Sequence, residues 1–312
     1  MPVQETSFIQ DLNRPACKGG IVSTVDNRIG FVRGEFVPLR DAVIPVMDRG
    51  FLFGDGVYEV TAVIEGRLVD NDHHLQRLER SLAEIGIANP FSIEAWTGIE
   101  TELMRRNELR NGLIYIQVSR GVAERAFQYA EGLEPTVVMF PQFSRVQSNP
   151  VIETGGRIIT VPDLRWARRD IKSTSLLAQV MAKHAVKQAG VNEAWMLDGD
   201  EITEGASSTA FIVSASNELI TRNLSQDILP GITRRTIIEI AKRHGLTIAE
   251  RPFSKADVLG ATEVFYTSAS TIAVPVIEMD GVSVGGGIPG PVFRSLYDAY
   301  LQDVMTLPAI IF

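Results

Sequence analysis

The sequence contains little cysteine and an excess of negative charge. Cys17 is the single cysteine among 312 residues, which excludes an internal disulfide and a zinc site built from cysteines. The 30 lysines and arginines are outnumbered by 38 aspartates and glutamates, which gives a net charge of −8. This balance argues against a general binder of nucleic acids or of anionic membranes. It says nothing about the substrate, because a local arginine cluster can still hold an anion.

Long apolar runs and metal-ligand spacings are also missing. No uninterrupted apolar stretch approaches the roughly 20 residues that span a bilayer. The first residues, MPVQETSFIQDLNRP, lack a cationic start followed by an apolar run, so we expect no secretory signal and a cytoplasmic protein. None of the four histidines has metal-ligand spacing with another histidine or with the cysteine. We therefore expect no metal site.

The length of the chain and one polar segment predict two domains. A chain of 312 residues is long for a single hydrophobic core. The stretch SRVQSNPVIETGG at 144–156 is polar, carries a proline and ends in two glycines, which indicates a connection between domains. We therefore expect an N-terminal extension of unassigned role at 1–27, an N-terminal α/β domain at 28–146 and a C-terminal domain at 147–312.

The most informative feature is a lysine and a glutamate in two neighbouring motifs. Lys172 lies in RRDIKSTSLLAQVMAKHA, and Glu204 lies in EITEGASSTAF. A lysine amine can hold the aldehyde of pyridoxal phosphate as a Schiff base. A carboxylate against the pyridine nitrogen keeps that nitrogen protonated, so that the ring can draw electrons from a carbanion. The small residues beside Glu204 let such a ring approach closely.

Both residues also have an ordinary interpretation. Lysines and glutamates are mostly exposed surface charges. Lys172 then marks the start of a helix over about 174–189, with Ser173 as its N-cap, and Glu204 lies in a turn. The two residues alone leave this alternative open, and the surrounding segments favour the cofactor site.

A second helix start offers donors for a phosphate group. GITRR at 231–235 opens a helix that we expect over 233–245. The backbone amides of Ile232 and Thr233 then point at an anion placed at the positive end of the helix, and Thr233 adds a hydroxyl. An ordinary helix cap explains these residues equally well on local sequence.

Seven segments occur here in the order found in one enzyme family. They are DRGFLFGDGVYEV at 48–60, DHHLQRL at 72–78, IYIQVSRGVAERAFQ at 114–128, DLRWARRDIKSTSLLAQVMAK at 163–183, ITEGASSTAFIV at 202–213, LPGITRR at 229–235 and VFYTSASTIAVPVIEMDG at 264–281. With these segments the chain resembles the fold type IV pyridoxal-phosphate aminotransferases, and among them the bacterial D-amino acid aminotransferases. The resemblance covers residues 48–281 and does not include the N-terminal extension.

The resemblance implies a fold, a reaction and an assembly. The fold is α+β, with a smaller N-terminal α/β domain, a C-terminal barrel-like domain and the cofactor, pyridoxal 5′-phosphate, between them. The reaction moves the amino group of a D-amino acid donor to a 2-oxo acid acceptor. Family members are homodimers that build each active site partly from the neighbouring chain.

The resemblance also assigns the site residues. Lys172 is the catalytic lysine that binds the cofactor. Ala269 stands where the D-amino acid enzymes carry threonine, so one side-chain contact to the phosphate is replaced by a backbone amide. The cofactor-binding residues implied are Arg77, Lys172, Glu204, Ile232, Thr233, Ser268 and Ala269, and the substrate-binding residues are Tyr58, Arg125 and Phe127.

Phe127 is the main departure from the family pattern. The D-amino acid enzymes hold the substrate α-carboxylate with an arginine and a histidine two residues apart, and here Arg125 is present but Phe127 replaces the histidine. Phenylalanine donates no hydrogen bond, so an (R)-selective amine transaminase is the first alternative. An aminodeoxychorismate lyase is the second. Branched-chain L-amino acid aminotransferases fit FGDGVYEV and RAFQ less well. A non-enzymatic binder is disfavoured because Lys172, Glu204, Arg77 and Thr233 are all present.

Overall fold

The computed structural model describes residues 27–311. The N-terminal extension expected at 1–27, including Cys17, therefore lies outside the described residues except for Asn27. Eight helices occur in the part described: α1 Arg49–Phe53, α2 Asn71–Glu84, α3 Ile93–Asn107, α4 Val151–Thr154, α5 Leu177–Ala189, α6 Ile232–Arg243, α7 Lys255–Leu259 and α8 Pro291–Thr306. Within residues 27–311, none of the helices is both long and apolar enough to cross a membrane.

The first half of the chain forms a six-stranded antiparallel sheet in the order β2-β1-β6-β5-β3-β4. Leucines at spacings of three and four on α2 face this sheet, as do Trp96 and Leu103 of α3, and all of them are buried. Two amphipathic helices therefore cover one face of the sheet. The strands are β1 Ile29–Val32, β2 Glu35–Pro38, β3 Gly56–Ile64, β4 Arg67–Leu68, β5 Gly112–Ser119 and β6 Thr136–Phe143.

The second half forms a nine-stranded mixed sheet in the order β12-β11-β10-β13-β14-β7-β8-β9, with β15 beside β14. A short helix, α4, lies between the two sets of strands, in residues 144–155. The domain boundaries assigned from the sequence stay a prediction. The strands are β7 Gly156–Pro162, β8 Glu193–Asp198, β9 Glu201–Gly205, β10 Thr209–Val213, β11 Glu218–Thr221, β12 Thr247–Glu250, β13 Glu263–Ser268, β14 Ile272–Met279 and β15 Val282–Ser283.

The nine-stranded sheet curls until its two ends meet. The backbone amide of Ile202 in β9 donates to the carbonyl of Phe253, which follows β12, at 2.9 Å. A short turn also connects the last strand of the sheet, β9, directly to β10, the third strand from the other end. This closure confirms the barrel-like C-terminal domain and the α+β fold with two domains that the resemblance implied.

The segment before α5 contacts the first sheet. The Tyr58 amide of β3 donates to the carbonyl of Lys172 at 2.9 Å, and Ser173 forms an isolated β-bridge with Val57. The helix therefore begins later than the sequence suggests, with Leu176 as its N-cap, and the prediction of Ser173 as the cap is wrong. The physical reason is that β3 offers backbone partners to this segment, and they outweigh its local preference for a helix start.

Candidate active site

A cavity of about 300 Å³ lies between the two sheets, and both halves of the chain line it. The residues that the sequence assigned to the site and that line this cavity are Tyr58, Arg77, Lys172, Glu204, Ile232, Thr233, Ser268 and Ala269. The fold thus brings together eight residues that are spread over more than 200 positions of the sequence.

Lys172 reaches the cavity from the extended segment that pairs with β3. Its backbone carbonyl is fixed by the Tyr58 amide, and its Nζ lies 4.3 Å from the centre of the Tyr58 ring. Among the described residues, no carboxylate forms a salt bridge with Lys172. A lysine that is only partly exposed and lacks a carboxylate partner has an amine available for a covalent bond with a carbonyl carbon.

Glu204 lies at the end of β9 and is buried at 4% exposure. Oε1 of Glu204 accepts a hydrogen bond from Nη1 of Arg165, and the Leu229 amide lies 3.3 Å from both carboxylate oxygens. Burial raises the pKa of Glu204 above its ordinary value, and Arg165 opposes this rise. A buried carboxylate with cationic and backbone donors suits the protonated nitrogen of an aromatic ring.

The start of α6 forms another wall of the cavity. Ile232 and Thr233 are both buried there, and Gly231 is the N-cap of the helix. A Cβ on Gly231 would lie only 2.7 Å from Oγ1 of Thr209, so this turn packs more tightly than a larger residue allows. Backbone amides at a helix start are natural ligands of an anion.

The end of β13 supplies hydroxyl groups close to the start of α6. Oγ of Ser268 lies 2.8 Å from Oγ1 of Thr271, and Ala269 adds no polar side chain. Oγ1 of the neighbouring Thr267 is buried and has no hydrogen-bond partner within residues 27–311. Buried hydroxyls are seldom left without a partner, so this orphan fits a polar group of a bound cofactor.

Arg77 of α2 lines the cavity and is 7% exposed. Its guanidinium makes a two-pronged contact with Glu59, with Nε 2.7 Å from Oε1 and Nη2 2.9 Å from Oε2. Nη1 donates to the carbonyl of Pro230, the residue before Gly231, at 2.9 Å. The arginine expected to bind phosphate is therefore held directly beside the start of α6.

Tyr58 lies on β3 with its ring stacked on Tyr115, the two ring centres being 5.6 Å apart. Tyr115 stacks in turn on Phe140 at 4.8 Å. This row of three aromatic rings fixes the orientation of Tyr58, whose ring contacts Lys172.

Arg125 and Phe127 lie outside the cavity of their own chain. Both are exposed on the loop between β5 and β6, and Phe127 is 81% exposed. The Arg125 guanidinium lies 5.5 Å from the centre of the Phe53 ring. The centre of the Phe127 ring lies 5.7 Å from the centre of the Phe53 ring. Arg49 anchors the loop by donating to the backbone carbonyls of Ala126 and Phe127.

Three important charged residues were not identified from the sequence. Arg165 and Asp163 belong to the DLRWARRDIK segment, and Glu59 belongs to FGDGVYEV, but charged residues in a sequence are ordinarily interpreted as exposed. Glu59 directly follows Tyr58 on a strand, so the two side chains point to opposite faces of the sheet. That alternation was an available signal that Glu59 faces the helices.

Comparison with known proteins decides the family. The family model described as Amino-transferase class IV matches residues 56–279, which is more than half of the chain. The chain belongs to the class IV aminotransferases. Aminotransferases of this class use pyridoxal 5′-phosphate, and the chain is accordingly a pyridoxal-phosphate-dependent aminotransferase.

Individual relatives agree with this family. The class IV aminotransferase described here is 36% identical to a D-alanine aminotransferase of Bacillus licheniformis over 273 residues, 88% of this chain and 96% of the relative. It is 37% identical to a D-alanine aminotransferase of Staphylococcus aureus strain MSSA476 over 273 residues, 86% of this chain and 95% of the relative. Similarity over nearly the whole length of these relatives supports the resemblance inferred from the seven segments.

A solved structure shares the fold. The branched-chain amino acid aminotransferase of Escherichia coli superposes with a TM-score of 0.82 at 24% sequence identity. The match covers 88% of this chain and 94% of that chain. This likeness shows the fold of the class IV aminotransferase, with its two domains and curled sheet.

Proposed function

We propose that the enzyme transfers the amino group of a D-amino acid to a 2-oxo acid, with pyridoxal 5′-phosphate held in the cavity between the two sheets. The observation that carries the proposal is that Lys172 and the buried Glu204 line one cavity together with Arg77 and the start of α6. The sequence similarity to D-alanine aminotransferases supports D-amino acids as donors.

Each side chain at the reacting end has a defined task. Pyridoxal phosphate, when bound, supplies an aromatic ring that accepts electrons from the donor carbon. Lys172 would hold the cofactor through its amine, and the free amine would carry the proton between the donor carbon and the cofactor carbon. Glu204 would keep the ring nitrogen protonated, whereas a glutamine in its place would leave that nitrogen unprotonated.

The phosphate group of the cofactor belongs at the start of α6. Ile232 and Thr233 offer backbone amides, Thr233 and Ser268 offer hydroxyls, and Arg77 offers the positive charge. Ala269 contributes its backbone amide alone, because it has no hydroxyl.

Binding of the substrate carboxylate requires a cation, and within residues 27–311 each arginine that lines the cavity already pairs with a carboxylate. Arg77 pairs with Glu59, Arg165 with Asp163 and Glu204, Arg169 with Asp163 and Asp198, and Arg234 with Glu250. We therefore propose a homodimer in which the exposed loop carrying Arg125 reaches the cavity of the other copy.

Exposed apolar side chains support the dimer. They lie near the β5–β6 loop and around the Lys172 segment, and such a surface favours burial against a second copy. The side chains concerned are Val43, Val46, Phe51, Phe127, Leu164, Trp166, Leu177, Val180 and Met181. Sedimentation that shows a fully active monomer at assay concentration contradicts the dimer. The cytoplasmic location expected from the sequence stays a prediction, which cell fractionation checks.

Phe127 supports one alternative, an (R)-selective amine transaminase. Its exposed aromatic side chain cannot help Arg125 to bind a carboxylate, and it favours an apolar substituent instead. An enzyme that accepts D-amino acids and (R)-primary amines alike is compatible with the same residues.

A panel of half-reactions tests the function. The cofactor-loaded enzyme is mixed with D- and L-amino acids and with both enantiomers of an arylalkylamine, and the visible absorbance of the lysine-bound cofactor is followed. We expect D-amino acids to remove this absorbance and a 2-oxo acid to restore it. Reaction with the (R)-amine alone supports the alternative. Turnover without any 2-oxo acid supports an aminodeoxychorismate lyase and contradicts the proposal.

A further inference from the structure

Glu59 is a fully buried carboxylate behind the wall of the cavity. It lies on β3 at 0% exposure, and both of its oxygens accept hydrogen bonds from Arg77. Oε2 also lies 2.8 Å from Nδ1 of His74, which is one turn before Arg77 on α2. Arg77 and His74 line the cavity, and Glu59 does not. Glu59 therefore acts on the cavity only through these two neighbours.

The contacts of Arg77 leave part of its guanidinium free. A guanidinium carries five N–H donors. Nε and one N–H of Nη2 bind Glu59, and one N–H of Nη1 binds the Pro230 carbonyl. One N–H on each of the two terminal nitrogens remains, on the side chain that lines the cavity next to the start of α6. Charge-assisted donors of this kind bind the oxygens of a phosphate group.

Of the three side chains in contact, Glu59, His74 and Arg77, the charged ones are Glu59 and Arg77. Burial lowers the pKa of His74, only partly offset by Glu59, and so favours a neutral imidazole. Burial also acts to raise the pKa of Glu59, but Arg77 and His74 outweigh it and hold that pKa well below its ordinary value. The carboxylate is thus matched by the guanidinium, and the neutral histidine adds a hydrogen bond.

We propose that Glu59 is a positioning residue for the cofactor phosphate. It holds the Arg77 guanidinium in one orientation at the place where the two domains meet. Glu59 fixes the guanidinium plane from the first sheet, and the Pro230 carbonyl fixes it from the second half of the chain. Without Glu59, the guanidinium is free to rotate, and its remaining N–H groups are no longer held toward the start of α6. This inference rests on the proposed function, in which Arg77 binds the phosphate.

Paired binding measurements test the inference. Enzyme stripped of cofactor is titrated with pyridoxal 5′-phosphate and, separately, with pyridoxal, which has the same ring and aldehyde but no phosphate. The absorbance of the lysine-bound form gives each Kd. In Glu59→Gln we expect the Kd for pyridoxal phosphate to rise roughly tenfold to a hundredfold, the worth of one charge-assisted hydrogen bond, while the Kd for pyridoxal stays unchanged. An equal rise for both ligands, or no rise for either, overturns the proposal.

A double-mutant cycle separates positioning from general stabilisation. Because Glu59 acts through Arg77, Glu59→Gln should add nothing to the phosphate-dependent loss that Arg77→Lys already causes, whereas additive losses contradict the inference. If Arg77→Lys itself changes neither Kd, the proposed phosphate site is wrong. If Arg77→Lys weakens pyridoxal phosphate but Glu59→Gln does not, only the role of Glu59 is wrong.

Two further variants complete the experiment. Glu263→Gln is the matched control, because Glu263 is also buried but accepts from the amides of Val292 and Phe293 at the start of α8. It should leave both Kd values unchanged, and a selective loss of pyridoxal phosphate binding there contradicts a specific role for Glu59. If Glu59→Gln does not fold, Glu59→Asp replaces it, because aspartate keeps the charge but is too short to hold both nitrogens of Arg77.

Discussion

Arg165 lies between two carboxylates, donating to Oε1 of Glu204 from Nη1 and to Oδ2 of Asp163 from Nη2, the latter at 2.6 Å. All three side chains are almost fully buried. Because burial raises the pKa of Glu204 and Arg165 opposes that rise, the arginine favours the ionised form of the glutamate. In the proposed site, where Glu204 holds the ring nitrogen, the protonation of that nitrogen depends on Arg165 as well.

Replacing Arg165 should change how activity depends on pH. In Arg165→Gln the cation beside Glu204 is lost, so the pKa of Glu204 rises further. Activity that needs ionised Glu204 is lost as pH falls through this pKa, and the acid limb of the kcat/KM profile should therefore move to higher pH. At neutral pH we expect kcat/KM to fall roughly tenfold to a hundredfold. This role is contradicted if kcat/KM falls by the same factor at every pH and the acid limb stays at its original pH.

Arg222→Gln is the control for that experiment. Arg222 is similarly buried and pairs with Glu201 and Asp227, but it does not line the cavity. Its replacement should affect thermal stability and leave the acid limb at its original pH.

Removing the lysine amine should abolish repeated turnover. Lys172→Ala has neither the covalent anchor nor the proton carrier, so we expect it to retain some pyridoxal phosphate non-covalently and to lose multiple turnover. Lys255→Ala removes an exposed lysine that pairs with Asp280 and should behave as the parent enzyme. The assignment of Lys172 is wrong if its alanine variant turns over at a rate close to that of the parent, as measured in a steady-state transamination assay.

The loop between β5 and β6 should separate two kinds of substrate. Arg125→Ala should raise KM for D-amino acids steeply and change little for (R)-amines, which lack a carboxylate. Phe127→His should tighten D-amino acid binding and weaken reaction with apolar amines, with changes in kcat/KM of roughly tenfold to a hundredfold. Arg110→Ala, another exposed arginine, should alter neither substrate class. Equal effects of Arg125→Ala on both classes remove Arg125 from the site.

Glu100 should make the stability of the enzyme depend on pH. It is fully buried on α3, accepts a hydrogen bond from Nδ2 of Asn71, and burial raises its pKa from 4.5 to about 8. A raised pKa in the folded state gives a contribution to stability that is complete below pH 4.5 and is lost as pH rises through 8. Relative to Glu100→Gln, the parent should therefore lose roughly 3–5 kcal/mol of unfolding free energy over this interval.

Urea unfolding of both proteins at pH 5 and at pH 8.5 measures this difference. Most of the expected change in unfolding free energy falls between these two pH values. Parallel pH dependence in the parent and in Glu100→Gln shows that Glu100 does not titrate in this interval. Glu100 does not line the cavity, so cofactor binding should be unaffected.

Eight residues that the sequence assigned to the site line one cavity, and their roles toward the cofactor stay a prediction. The motifs that contain Lys172, Glu204 and the start of α6 are short and continuous in the sequence, so each can be recognised without knowledge of the fold. The cap assigned to Ser173 was wrong because a strand more than 100 positions earlier in the chain supplies its partner, Val57. Local pattern contains no information about such a distant competitor.

Charged residues that contact the assigned site residues were missed for a similar reason, because their burial depends on distant parts of the chain. Glu59 and Arg165 look like surface charges in the sequence, whereas in the fold both side chains are buried, Glu59 where α2 packs on β3. The spacing of residues in the sequence likewise gives no indication that Arg125 lies outside the cavity of its own chain. Closure of the curled sheet depends on Ile202 meeting Phe253, and that register was not available from periodicity.

The meeting of Ile202 with Phe253 also restricts how copies of this chain can associate. An open strand edge presents unpaired amides and carbonyls that recruit strands from other molecules. Here the outer side of β9 is paired with the residues after β12, so the larger sheet offers no template for growth there. At this edge, contact with another copy must then depend on side chains, because the backbone groups of Ile202 and Phe253 are already paired with each other.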